Sequence, residues 1–324
     1  MKKLIFVLLT TVCLVSYGQV DPPQVSISNG LIKSLLYLPD VKNGYYRGTR
    51  FDWSGVMASL EFSGHNFYGK WFDKYHPEIH DAVMGPVEEF VQTGFDEAET
   101  GGTFMKIGVG ILVKPDEKPY SSFRLYPIKN GGKWDVKSRA DAVVFIQTLD
   151  DPESGYVYEK EIKLEKGKPV MIISHSLQNK GKKAIETNIY NHNFPVIDGQ
   201  PAGPGYTVTF PFNLSGCTGQ GFGDVVSIME NKLVYLKNQE SSDRVFCGDM
   251  KGYGSSPDDY DIRIENSKAG AGIRITSGQP IIKLVYWSSP TTVCPEPYTR
   301  VSVAPGKKLV WSLKYEYYVL EPDR

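Results

Sequence analysis

The chain has 324 residues, with 36 Lys and Arg against 37 Asp and Glu, and a formal net charge of −1. Its charges are interspersed, so it lacks the basic surplus that a nucleic-acid footprint requires, and nucleic acid is not expected as a partner. With 32 Gly, 21 Pro and 20 Tyr, the composition suits short strands joined by tight turns.

The first residues read as a targeting segment. Lys2 and Lys3 precede an apolar run from Leu4 to Val15, and Ser16-Tyr17-Gly18 offers small residues at the −3 and −1 positions of a signal-peptidase site. The run is shorter than the roughly 20 residues a spanning helix needs. Residues 1–18 are therefore expected to be removed, and the mature chain, starting at Gln19, to be exported to the periplasm or secreted. Cys13 lacks the small residue before it that a lipid-anchored start would favour. No later segment is long and apolar enough to span, so no transmembrane segment is expected in the mature chain.

Gly44 to Gly55 packs aromatics, Arg47, Arg50 and Asp52 between glycines. Roughly Asn66 to Gly102 then reads as a long excursion carrying His76, His80, Glu88 and Glu89, and loops of that length are commonly functional. The best helix candidate, Pro86 to Thr93, extends no more than about two turns. Beyond it the dominant signal is the strand. Val170 to Leu177, Gly205 to Phe212, Ile273 to Thr276, Ile281 to Trp287 and Leu309 to Leu320 are rich in β-branched and aromatic residues. Lys166-Gly167-Lys168, Asn179-Lys180-Gly181-Lys182 and Pro305-Gly306-Lys307 punctuate hairpins. No internal repeat or linker divides the chain, and residues 19–324 are read as one all-β domain. Three cysteines remain after residue 18, at Cys217, Cys247 and Cys294. Their spacing is no zinc pattern; a Cys217–Cys247 bridge is the plausible pairing.

Two segments carry the candidate chemistry, Thr187 to Phe194 and Val293 to Thr299. Each sits beside a strand-like run and offers one titratable group, His192 in the first and Glu296 in the second. A histidine and a glutamate delivered by separate strands can form an acid/base couple. Pro295 and Pro297 hold the glutamate on a rigid backbone, and partial burial would raise its pKa toward a useful value. His175 alternates in phase with Met171, Ile173 and Leu177 and is assigned to structure.

From about Tyr156 to Leu320 the chain resembles the galactose mutarotase (aldose 1-epimerase) superfamily. The resemblance rests on Asn191-His192-Asn193-Phe194, on Cys294-Pro295-Glu296-Pro297, on the turn and strand Ser267 to Thr276 between them, and on the Ala304-Pro305-Gly306 turn before a Tyr-rich strand. It implies a large antiparallel β-sandwich with few short helices, and a sugar or oligosaccharide ligand. It also implies ring opening by general acid/base catalysis, with Glu296 as base and His192 as acid. An arginine reaching the sugar hydroxyls is expected at Arg50 or, second, Arg47. The family's second histidine falls at His80, which lacks the usual adjacent glycine, with His76 and His65 as alternatives. Asn191 belongs to the motif, and Asp249 is the candidate for the acidic residue that orients the sugar. Tyr45, Tyr46, Trp53, Trp71 and Trp287 offer flat faces for sugar rings or serve as core.

No cofactor or metal is expected, and Asp258 and Asp259 fit no calcium-loop spacing. Two other readings stay open: a sugar-binding protein without turnover, and a hydrolase or lyase on the same scaffold. A carboxylate from Glu88-Glu89 facing Glu296 would favour the hydrolase.

Overall fold

In the computed structural model, which describes residues 21–321, inward and outward residues alternate along the long strands. The targeting segment and its cleavage site lie outside these residues. Along Tyr156–Leu164 the inward positions are Tyr156, Tyr158, Lys160, Ile162 and Leu164. Along Val170–Asn179, Met171, Ile173, His175 and Leu177 are buried in the same way. This period of two is what folds each strand onto a shared core.

Strands assemble into a ten-stranded antiparallel sheet and a five-stranded sheet packed over it, with smaller four- and three-stranded sheets beside them. The five-stranded sheet runs in the order Val245–Met250, Lys283–Ser289, Thr292–Val303, Ile185–His192, Val87–Phe90. Its inner face meets the ten-stranded sheet: Phe90 packs edge-on to Tyr158 and Trp311, and the Tyr315 hydroxyl donates to Asn193 Oδ1 over 2.9 Å. The only helical elements among the described residues are three-residue 3-10 turns, Ile197–Gly199 and Pro257–Asp259. This is the all-β sandwich the sequence implies.

The helix expected over Pro86 to Thr93 is instead the strand Val87–Phe90, all four residues buried. It pairs with Ile185–His192, setting Glu89 opposite Tyr190 and Glu88 opposite Asn191. Two adjacent glutamates can be buried there because each faces its own cation. Glu88 turns inward to Lys160, whose Nζ also reaches the Ser54 carbonyl at 2.9 Å and lies 3.9 Å from Asp52 Oδ2. Tyr158 donates its hydroxyl proton to Asp52 over 3.0 Å, and Asn191 Nδ2 donates to Glu88 over 2.9 Å. Lys160, Glu88 and Asp52 have fully buried side chains. Burial pushes both carboxyls up and the Lys160 charge pulls them back. His175, against this cluster, is held far below its ordinary pKa by burial and is neutral, in keeping with a structural role.

Cys217 and Cys247 form a disulfide, and Cys294 is buried and unpaired. Thiol titration of the denatured, unreduced protein should therefore find one reactive cysteine after residue 18, in the peptide carrying Cys294. Three free thiols, or a bridge to Cys294, would contradict this arrangement.

Candidate active site

Period-two alternation turns one set of side chains of the five-stranded sheet away from the core. Glu89, Tyr190, His192, Glu296 and Tyr298 all face outward, and Trp287 and Lys283 continue the row across the next strand. Together they floor a cleft of about 430 Å3, within the range of about 300–1,000 Å3 for small-molecule sites. Loops from the N-terminal third wall it, bringing Arg50, Trp71, His80 and Phe123.

Register positions the couple. The pairing of the two strands ends at Tyr190–Tyr298, and two residues beyond it on each strand His192 meets Glu296. His192 Nε2 lies 3.1 Å from Glu296 Oε1. Pro295 and Pro297 sit inside an interior strand, where proline removes ladder hydrogen bonds and is seldom tolerated. Here they fix the backbone on both sides of Glu296. The Asn193 amide then ties the two strands together, donating to the Pro295 carbonyl at 3.1 Å. Phe194 takes a left-handed φ of 42°, unusual for a bulky residue, and lays its ring flat on His192 with centroids 3.7 Å apart. Trp71 stacks on the other face of Phe194 at 4.7 Å, so the imidazole is held in one plane.

Burial sets the charge state. It pushes the Glu296 carboxyl up to about 8, with Arg50 pulling the other way. It also drives His192 well below its usual value, helped by Arg50. At neutral pH the couple is therefore an uncharged Glu296 acid beside an uncharged His192 imidazole. Nδ1 of His192 is buried and makes no hydrogen bond among the described residues.

Arg50 is fixed beside the couple, its Nε 2.7 Å from Glu89 Oε2 and its Nη2 3.1 Å from the Tyr190 hydroxyl. Lys106 Nζ takes the other Glu89 oxygen at 2.9 Å. Burial would raise Glu89, but Lys106 and Arg50 outweigh it and hold this carboxyl at about 2. Both Glu89 oxygens are engaged, so it acts as a fixed negative charge that orients Arg50 rather than as a free nucleophile.

Arg50, His80, His192 and Glu296 line the same cleft. His80 lies at its rim, 3.3 Å from Asp81 and edge-on to Phe123. The other candidates lie elsewhere. Asn191 points to the core because its neighbour His192 points out; it holds Glu88 and does not line this cleft. Arg47 donates to the Lys42 carbonyl at the surface. Asp249 is exposed and paired with Lys251, two strands beyond the one that carries Glu296. His65 bonds Asp198, and neither it nor His76 lines the cleft. Tyr190 and Tyr298 are residues the sequence reading misses. Their signal is plain alternation, each lying two residues from His192 or Glu296 on the same strand face.

No protein-family model matches the chain, and no curated protein matches it in sequence. Solved structures do match it in fold. A galactose mutarotase-like protein from Clostridium acetobutylicum aligns over 92% of this chain and 95% of its own, at 11% identity and a TM-score of 0.55. An aldose epimerase homologue from C. elegans covers 92% and 99%, at 12% identity and 0.54. A galactose mutarotase-like protein from Lactobacillus casei covers 91% and 100%, at 12% identity and 0.53.

Proposed function

The chain has the galactose mutarotase-like fold, and from that premise we propose that it interconverts sugar anomers by general acid/base ring opening. The observation that carries this reading is the buried His192–Glu296 pair, 3.1 Å apart on the floor of a cleft that also holds a fixed arginine. Opening a cyclic hemiacetal removes the proton of the anomeric hydroxyl and adds one to the ring oxygen. A couple that shares one proton can do both. Passing the Glu296 proton to His192 first gives the carboxylate and imidazolium; Glu296 then accepts from the hydroxyl while His192 donates to the ring oxygen, the aldehyde rotates, and closure on the other face reverses the roles. Arg50, immobilised by Glu89 and Tyr190, offers hydrogen bonds to sugar hydroxyls without needing to be ordered on binding. Trp287 and Tyr298 offer ring faces.

The same proposal includes export as a single domain of residues 19–324 after loss of residues 1–18. The Cys217–Cys247 disulfide supports it, since such bridges persist in oxidising compartments.

Proton exchange spectroscopy on freshly dissolved α-sugars tests the activity. Interconversion above the spontaneous rate, saturable in sugar, is expected. Saturable binding with no rate above that background would instead make this a sugar-binding protein.

A further inference from the structure

The cleft does not end at the couple. A second hollow of about 670 Å3 adjoins it, and the two share Phe123, Arg244, Phe246 and Trp287 as a common border. Two of these border residues are aromatic rings left open to solvent: Phe123 is 64% exposed and Phe246 47%. Exposed rings at the junction of two hollows of mixed polar and apolar lining are suited to stacking on pyranose faces. The far wall is the segment around Gly216 and Gly219, which the Cys217–Cys247 disulfide fastens to the strand Val245–Met250. The extended groove is thus held in shape covalently.

Charge along this groove is uneven. The acidic side chains of the second hollow are already matched, Asp243 by Lys237 at 3.5 Å and Asp249 by Lys251. Glu89 is matched by Arg50 and Lys106. Arg244 and Lys283 have no carboxylate oxygen within 4.0 Å among the described residues. Both face the cleft, Lys283 over the Tyr298 ring at 5.1 Å and Arg244 on the shared border. Two uncompensated cations beside exposed aromatic rings describe a ligand that is both a carbohydrate and an anion. A guanidinium matches a carboxylate with two parallel hydrogen bonds.

We propose that the ligand is the reducing end of an acidic oligosaccharide. Its terminal ring sits at the Glu296–His192 couple, and the next residue, a uronic acid, lies across Phe246 with its carboxylate on Arg244. This rests on the anomer-interconversion reading for the terminal ring, but the acidic subsite stands or falls on binding alone.

Calorimetry with four probes separates the possibilities: a uronic-acid disaccharide, the neutral disaccharide of the same linkage, a free uronic acid and a hexose phosphate. The acidic disaccharide should bind about tenfold or more tightly than its neutral counterpart, with the advantage shrinking as salt rises. Arg244→Met should remove most of that advantage, and Phe246→Ala should weaken disaccharides more than the monosaccharide. Equal affinity for the two disaccharides, or tighter binding of the hexose phosphate, would overturn the proposal. Turnover of neutral monosaccharides without a preference for the acidic disaccharide would sink the subsite and leave the epimerase reading intact. Tight acidic-disaccharide binding with no rate above background would do the reverse.

Discussion

Replacing Glu296 by Gln, or His192 by Asn, is expected to lower anomer interconversion by about 100-fold or more, the size of a general acid–base contribution. Both substitutions nearly keep shape. The two losses combined should fall short of their product, because the residues serve one coupled proton transfer. Sugar affinity should weaken far less than turnover, since Arg50 and the aromatic faces remain. Glu296→Gln should also make the protein more stable. In the unfolded chain this glutamate ionises near 4.5, whereas burial in the fold raises it to about 8. Between those values the folded state holds a proton that the unfolded state has lost, so stability falls as pH rises through the window. At pH 7 the ionisable side chain then costs about 3 kcal/mol that glutamine would not. A variant that is slower but harder to denature at neutral pH, with the gain vanishing in acid, marks a residue kept for chemistry. Unchanged turnover in both single variants would put the chemistry elsewhere in the chain.

The second large effect lies on the other side of the same sheet. Lys160→Met should destabilise the fold by about 3–5 kcal/mol, because it leaves Asp52 and Glu88 buried without their cation. Without Lys160 both carboxyls are pushed further up, so the loss should deepen as pH rises and shrink in acid, where they are protonated. Denaturant titration at two pH values measures this, and adding Glu88→Gln to Lys160→Met should recover part of the loss. A cost below about 1 kcal/mol would mean the cluster is hydrated rather than dry.

His192 and Glu296 are visible in the sequence because their neighbours give them away: a strand-end Asn-His-Asn, and a glutamate between prolines that leaves few backbone choices. Their partners are less visible, since ion pairing in a sandwich is non-local. Glu89 reads as half of a loop pair until the fold brings Arg50 and Lys106 to it, and Glu88 until Lys160 arrives from a strand 72 positions away. For the same reason Val-Glu-Glu-Phe reads as a short helix; only cations waiting on both of its faces allow it to be a buried strand. Asn191 shows the opposite case. Alternation along Ile185–His192 already turns it from the face that His192 occupies, so its inward position follows from the sequence pattern. Asp249 has only its place in chain order to recommend it, and chain order does not encode which strand face closes over a cleft.

Turnover depends on the single titratable proton that the Glu296–His192 couple holds at neutrality, and the pH dependence of wild-type interconversion, corrected for the spontaneous rate, tests that most directly. The rate should be level through neutrality and fall above about pH 8, as Glu296 ionises and the couple loses the proton it passes to the ring oxygen. It should fall again in acid only well below the usual histidine range, when His192 takes up a second proton. A corrected rate indistinguishable from zero, or one that keeps climbing with hydroxide past pH 8, would contradict the central claim.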